Sequence, residues 1–116
     1  GRAKIVWSAH SFDIIPSSAS KLRVVEALEE NIETEQAVIS IGDCGSVHGN
    51  DYALLNRVFG ISVSAVCPDI SGTWSIYGEE ISGPDALLRI LRAMVPSESG
   101  GIRLNRAALC LDRVIE

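Results

Sequence analysis

The stretch Ala37-Val38-Ile39-Ser40-Ile41-Gly42-Asp43 decides the fold of this chain. It is almost entirely apolar and β-branched and has no polar alternation, which predicts a strand over 37–41 that is buried on both faces in a parallel sheet. Gly42 is expected to end the strand, so that Asp43 falls at its carboxyl end, where open α/β sheets place ligand sites. A carboxylate there can hold a hard cation, although an aspartate after glycine also commonly caps a turn.

A second buried strand follows after one helix. Asn50 or Asp51 is predicted to cap a helix that runs to about Val58, Gly60 is predicted to end it, and Ile61–Val66 is predicted as the next strand. Strand, helix and strand at this spacing are typical of a βαβ unit. We therefore predict an α/β fold with a partial Rossmann-like parallel sheet and flanking helices.

The N-terminal part contains two short β-rich runs and an amphipathic helix. Ala3–Ser8 and Phe12–Ile15 are predicted strands, the second of which ends at Pro16. Ala19–Asn31 follows with serine hydroxyls at its start and an apolar stripe along one face, which predicts a helix.

The C-terminal part is predicted as loop, helix, linker and helix. Cys67–Ser82 is mixed in composition and is expected to be a loop with at most one short strand. The sequence Ser82-Gly83-Pro84-Asp85 is a favourable helix start, and the helix is expected over Ala86–Met94. Pro96–Gly101 is then a turn-rich linker, and Asn105–Val114 is a terminal helix.

Length and composition exclude several classes of function. The 116 residues, 47% hydrophobic and 22% charged, indicate one globular domain. The net charge of −5 and the scattered basic residues argue against nucleic-acid binding. Three cysteines without C-x-x-C spacing indicate neither a disulfide framework nor a zinc site, which favours a reducing cytoplasmic location. No run of about 20 apolar residues and no signal-peptide pattern is present, so membrane insertion and secretion are disfavoured.

Four polar residues form a candidate site. Lys21 lies in the first turn of its helix, where the helix dipole disfavours a cation, which suggests a function beyond that of an exposed surface lysine. Asn50 and Asp51 begin a helix, a position that favours anions, although a plain helix cap is the simpler interpretation. An ammonium group, the strand-end carboxylate of Asp43 and an Asn-Asp helix start are the charges that phosphoryl transfer uses.

In these motifs the chain resembles the haloacid-dehalogenase-like superfamily, nearest its sugar-phosphatase branch. The resemblance rests on Ser20-Lys21, on Ile39–Asp43 and on Asn50-Asp51-Tyr52-Ala53-Leu54-Leu55, which are similar to the third and fourth motifs of the superfamily. Phe12–Pro16 resembles the strand that returns from the cap domain to the core. The resemblance implies that Lys21 bridges phosphate and nucleophile, Asp43 binds Mg²⁺, Asn50 contacts phosphate and Asp51 contacts the lysine.

Two features depart from that family. The nucleophile of the superfamily is the first aspartate of an Asp-x-Asp motif, and this motif occurs nowhere in the sequence. The loop Cys44–Gly49 is also longer than usual, so that Asp51 follows eight residues after Asp43. We therefore expect a fragment that holds the third and fourth motifs only and is inactive alone, preceded by a segment that carries the nucleophile.

The resemblance also implies a domain plan and partners. Residues 1–116 are expected to be one α/β domain, with 1–16 as the segment returning from the cap, 17–95 as the core βαβ region and 96–116 as linker and helix. The expected function is part of a Mg²⁺-dependent phosphatase acting on a small phosphorylated metabolite. The edge of the strand ending at Asp43 is expected to pair with the nucleophile half or with a second copy. The alternative is a non-catalytic α/β module that keeps the scaffold for binding or assembly.

Overall fold

The computed structural model describes residues 1–8, 10–33 and 37–110, and the chain divides into two compact units, Gly1–Ile76 and Tyr77–Glu116. The fold is mixed α/β with small two-stranded sheets, of which one is parallel, as predicted at the level of fold class. That the whole chain forms one domain stays a prediction. Within the described ranges, no helix has the length and apolar character that crossing a bilayer requires.

The first unit begins with an antiparallel hairpin. Strand β1 (Ala3–Trp7) pairs with strand β2 (Phe12–Pro16), which confirms both predicted strands. The turn between them is closed by Ser8, whose backbone N–H donates to the carbonyl of Ser11 at 2.9 Å. Helix α1 (Leu22–Glu29) follows and is shorter at both ends than the predicted helix, and its Val25 is buried.

The centre of the first unit is a parallel pair of strands. Strand β3 (Ser40–Cys44) lies beside strand β4 (Gly60–Ala65), and helix α2 (Tyr52–Leu55) connects them, which confirms the predicted strand, helix and strand. Residues of β4 and α2 supply much of the core, which contains Val25, Leu55, Ile61, Val63 and Cys67. Burial of each large aliphatic side chain stabilises the fold by about 1.5–3 kcal/mol.

Three predicted boundaries in this region were wrong. Strand β3 begins three residues later than expected because β4 starts only at Gly60, so residues before Ser40 have no partner in it. Gly42 does not end the strand, and Asp43 lies inside β3 rather than after it. Helix α2 ends at Leu55 instead of Val58, because the backbone leaves helical geometry with ψ of 58° at the next residue.

Arg57 fixes the start of β3 against the end of α1. Its guanidinium donates to the carbonyl of Val38 at 2.7 Å and to the hydroxyl of Ser40 at 2.9 Å, and it pairs with the carboxylate of Glu29. The planar guanidinium presents several N–H donors and reaches all three acceptors at once. A lysine ammonium is a compact point charge and matches three separate acceptors less well. This anchor positions the strand that carries the candidate site.

The second unit contains a helix, a hairpin and a short terminal helix. Helix α3 (Gly83–Ala93) has the predicted proline in its first turn, but the Ser82 hydroxyl makes no capping hydrogen bond. Its predicted end was wrong, because Met94 begins strand β5 (Met94–Pro96). The predicted linker instead forms the turn to strand β6 (Ile102–Leu104), where Gly100 and Gly101 adopt φ of 87° and 77°.

Helix α4 (Arg106–Leu109) closes the described part of the second unit. The side chain of Asn105 caps it by accepting from two backbone N–H groups, and Cys110, with φ of 57°, ends it. The predicted helix extended to Val114, and residues 111–114 lie outside the described residues. The buried Tyr77 donates its hydroxyl to the carbonyl of Leu109 at 3.0 Å, which holds α4 in place.

Candidate functional site

The carboxylate of Asp51 is the polar centre of the first unit. The residue is only 4% exposed. Its Oδ1 accepts a hydrogen bond from Lys21 Nζ, and its Oδ2 accepts from the backbone N–H groups of Asp43 at 3.1 Å and Cys44 at 3.2 Å. The structure thus brings two predicted site residues, Lys21 and Asp51, into direct contact at the end of β3. A buried carboxylate is tolerated in the fold when its charge and lone pairs are satisfied in this way.

Asp51, one of the two residues predicted to cap α2, does take the N-cap position, but its side chain does not form the expected capping hydrogen bond. Its oxygens are instead used by Lys21 and by the backbone of β3. The residue therefore links two elements that are distant in sequence rather than closing the start of its own helix.

Gly42 allows this approach. A Cβ atom at Gly42 would lie 2.7 Å from Asp51 Oδ2, closer than side chains tolerate. The register between β3 and β4 also shifts between Gly42 and Cys44. Asp51 accepts hydrogen bonds from the backbone N–H groups at this irregular point. Gly42, which was predicted to end the strand, instead leaves room for the Asp51 carboxylate.

The long loop Cys44–Gly49 returns the chain to the end of β3. The N–H of Asp51 donates to the carbonyl of Cys44 at 3.2 Å, and the N–H of Gly49 donates to the carbonyl of Ser46 at 2.8 Å. A Cβ atom at Gly49 would lie 2.1 Å from the carbonyl oxygen of Cys44, so only glycine fits there. The separation of eight residues between Asp43 and Asp51 is therefore closed by the loop.

Lys21 faces a wide cavity. Its side chain is 51% exposed while that of Asp51 is 5% exposed, so the ion pair spans the boundary between core and solvent. The cavity has a volume of about 970 Å³ and is lined by the hairpin, by the start of α1, by the loop before α2 and by α2 itself. The ion pair also offsets the unfavourable position of this lysine at the N-terminus of α1.

The environment of Asp51 favours its ionised form. Burial by itself would raise the pKa of this carboxyl, but the hydrogen bonds from Lys21 and from the N–H groups of Cys44 and Asp43, together with the positive charge of Lys21, outweigh it. The pKa of Asp51 is therefore lowered from its ordinary value of 3.8. Asp51 is a fixed negative charge near neutral pH, and it holds Lys21 in one place.

Asp43 and Asn50 are placed differently: Asn50 lines the cavity that Lys21 faces, whereas Asp43 is exposed and is not among the residues that line it. Within the described part of the chain the carboxylate of Asp43 makes no hydrogen bond or ion pair. Asn50 donates its backbone N–H to the carbonyl of Trp7 at 3.1 Å. Its Oδ1 atom is buried and lacks a hydrogen-bond partner among the described residues. An unpaired buried acceptor is costly to the fold.

The residues present suit a weakly held hard cation rather than a closed metal cage. Among the described residues no three His, Cys, Asp or Glu side chains lie close enough to hold a metal ion. Mg²⁺ keeps several water ligands and commonly takes one or two protein carboxylates together with a substrate phosphate. The free carboxylate of Asp43 fits that requirement in part.

Sequence reasoning did not connect the hairpin with the site. Residue Trp7 of β1 forms an isolated parallel bridge with Gly49, and its carbonyl accepts from the N–H of Asn50. The thiol of Cys44 lies 3.7 Å from the same carbonyl. These are backbone contacts between segments some forty residues apart, and no local pattern in the sequence indicates them.

Comparisons with known proteins complete this description. The chain matches no protein-family model, and neither the curated proteins nor the solved structures gave a match.

Proposed function

We propose that this chain carries half of the active site of a Mg²⁺-dependent phosphatase of the haloacid-dehalogenase-like superfamily, acting on a small phosphorylated metabolite. In this proposal the β3–β4 pair belongs to a larger Rossmann-like parallel sheet. Lys21 and Asn50 bind the phosphate, Asp43 holds Mg²⁺ and Asp51 positions Lys21. The nucleophilic aspartate comes from outside these 116 residues, so the chain alone is inactive.

The contact between Lys21 and the buried Asp51 is the observation that supports the proposal most strongly. Asp51 is fixed by two backbone N–H groups of β3, and it fixes Lys21 in turn. The ammonium group therefore stands at the end of β3 with half of its side chain open to the cavity. A cation that is pre-positioned in this way stabilises developing negative charge without reorganisation during the reaction.

The proposed chemistry has two steps. A carboxylate oxygen of the external aspartate attacks phosphorus, and the bond from phosphorus to the alcohol oxygen of the substrate breaks. Water then hydrolyses the aspartyl phosphate, which releases phosphate and restores the carboxylate. In both steps the ammonium of Lys21 neutralises phosphoryl oxygens. Asp43 would hold Mg²⁺, which would supply further positive charge to the phosphoryl group.

The free edge of β3 is where this proposal places the strand with the nucleophile. Within the described residues β3 pairs with β4 alone, so its other edge has no strand partner. A cavity of about 350 Å³ borders the start of β3 and is lined by apolar side chains of α1, of residues 38–41 and of α2, among them Val24, Leu28, Ile39, Ile41 and Leu54. An unpaired edge with apolar flanks favours addition of a strand.

The proposal is tested with the full-length polypeptide. An Asp-x-Asp motif on a strand that precedes this region, together with Mg²⁺-dependent hydrolysis of phosphomonoesters, would support it. Asp43→Ala and Lys21→Met are expected to lower kcat by at least about a hundredfold, since the first removes the proposed ligand of Mg²⁺ and the second removes the ammonium that neutralises the phosphoryl oxygens. Glu98→Gln removes an exposed carboxylate in the second unit and serves as the matched control. Full activity of Asp43→Ala would contradict the metal assignment.

The second candidate is a non-catalytic α/β module that binds or assembles. The observation that favours it is the lack of any Asp-x-Asp motif in the sequence. A full-length polypeptide that also lacks this motif, and that hydrolyses no phosphomonoester in the presence of Mg²⁺, would favour the module over the enzyme.

A further inference from the structure

One face of the β1–β2 hairpin is entirely apolar. The strand register pairs Ile5 with Ile14, Trp7 with Phe12 and Ala3 with Pro16. Cross-strand partners lie on the same side of a sheet, and residues two apart in a strand share that side. We refer to these six residues as the hairpin face: Ala3, Ile5, Trp7, Phe12, Ile14 and Pro16.

The hairpin face is open to solvent. Ile5, Trp7, Phe12 and Ile14 are 62%, 51%, 71% and 76% exposed. With the area typical of large apolar and aromatic side chains, these four leave roughly 600 Å² of apolar surface exposed in each copy. Monomeric proteins rarely expose a contiguous apolar patch of that size unless it binds something.

The hairpin face is also held in a fixed shape. The rings of Trp7 and Phe12 pack edge to face with their centroids 5.4 Å apart, and the centroid of the His48 ring lies 5.8 Å from that of Trp7. Hydrogen bonds join the backbone of Trp7 to His48 and Asn50. A surface that is already ordered loses little conformational entropy on binding.

We propose that the hairpin face is the contact through which two copies of this chain associate about a two-fold axis. At one end of the face the side chains are large and aromatic (Trp7 and Phe12), and at the other end they are small (Ala3 and Pro16). A two-fold axis near the Ile5–Ile14 pair places the aromatic end of each copy on the small end of its partner. Such an isologous contact is self-complementary in shape.

Size and charge agree with a second copy as the occupant. Two hairpin faces bury about 1,200 Å² in total, the lower end of the range for stable interfaces. None of the six residues is charged, so the contact opposes no like charges even though each chain carries a net charge of −5. Ile5, Phe12 and Ile14 of the hairpin face also line the cavity that Lys21 faces, so the interface borders the candidate site. It is separate from the free edge of β3, and the association does not depend on the proposed phosphatase activity.

Sedimentation equilibrium over micromolar to millimolar concentrations tests the association. We expect a dimer, and Phe12→Thr and Ile14→Thr are each expected to weaken it by about tenfold or more, because each replaces a large apolar contact by a polar one. Threonine keeps a high strand propensity, which protects the hairpin itself. The matched control is Val58→Thr, an apolar residue outside the hairpin face that is 84% exposed, and it should leave the dimer unchanged.

Intermolecular contacts measured in the wild-type chain test the proposal without any substitution, so the result does not depend on whether a variant folds. In a sample that mixes labelled and unlabelled copies, isotope-filtered NMR should show contacts between the rings of Trp7 or Phe12 in one copy and Ala3 or Pro16 in the other. A wild-type chain that remains monomeric at millimolar concentration would overturn the proposal. So would a dimer whose intermolecular contacts lie along β3, or one that the threonine variants do not weaken.

Discussion

The two small sheets of the first unit differ in the solvent exposure of their apolar residues. Strand β4 buries Ile61 and Val63, and the polar groups at the irregular end of β3 are satisfied by Asp51. The hairpin of β1 and β2 instead turns Ile14 and its neighbours toward solvent. Both sheets contain isoleucine and valine, and the hairpin contains more of them, so composition does not explain the difference in exposure. Helix α2 packs against β3 and β4. The parallel pair is the packed scaffold of the site, whereas the hairpin leaves one apolar face exposed to solvent.

The largest effect should follow from removing the polar anchor of the parallel pair. Asp51→Ala leaves the N–H groups of Asp43 and Cys44 without their acceptor, and we expect it to lower the free energy of unfolding by about 3 kcal/mol. Asp51→Asn keeps an acceptor oxygen but loses the charge, and it should cost less. Urea denaturation at pH 7 measures both. Equal losses would show that the acceptor role is unimportant.

The glycine that admits Asp51 comes next. Gly42→Ala places a Cβ atom against Asp51 Oδ2, and we expect a loss of about 1–3 kcal/mol. If the clash with Asp51 is the cause, the double variant Gly42→Ala with Asp51→Ala should lose clearly less than the sum of the single variants. Additive losses, measured by urea denaturation of all four proteins, would place the cause elsewhere.

A matched pair of variants compares the two sheets directly. Ile61→Val removes a methylene group from buried β4 and should cost about 1 kcal/mol, whereas Ile14→Val does the same on the exposed hairpin and should cost close to zero. Thermal or urea unfolding at protein concentrations too low for association is the appropriate measurement. Equal costs would mean that the hairpin face is packed as tightly as β4.

The smallest effect is a dependence on pH. The pKa of Asp51 is lowered by folding, so its ionisation stabilises the fold above the ordinary value of 3.8, and this stabilisation is lost as the pH falls through the lowered pKa. The difference in unfolding free energy between the wild type and Asp51→Asn should stay constant from pH 7 to about pH 5 and shrink below about pH 4. A difference that already shrinks between pH 7 and pH 5 would indicate a raised pKa instead.

The parts of the fold that follow local rules were predictable from the sequence. Both hairpin strands and the start of α3 lie where β-rich composition and the proline in the first helical turn predict them. The hairpin of β5 and β6 was missed because three-residue strands give almost no periodic signal. Its two consecutive glycines, Gly100 and Gly101, adopt positive φ and were the available indication of a turn.

The site itself depends on contacts that the sequence does not display. Gly42 was predicted to end a strand, and Asn50 or Asp51 to cap a helix, because those are the commonest local uses of each residue. The contact of Asp51 with Lys21 was expected from the resemblance, but its contact with β3 was not. Gly42 and Asp51 are used instead for one tertiary contact, in which the carboxylate approaches β3 where no Cβ atom stands. Whether Asp51 turns toward its own helix or toward β3 is decided by Lys21 and the strand, which lie seven or more residues away.

The central claim is that the end of β3 binds a divalent cation and phosphate together. The most direct test is NMR of the ¹⁵N-labelled chain with inorganic phosphate and Mn²⁺, a paramagnetic ion that replaces Mg²⁺ and broadens the amide signals near it. We predict broadening at Gly42–Cys44 and at Asn50 and Asp51, its loss in Asp43→Asn and its persistence in Glu98→Gln. Broadening that survives in Asp43→Asn, or that leaves the end of β3 untouched, would contradict the claim.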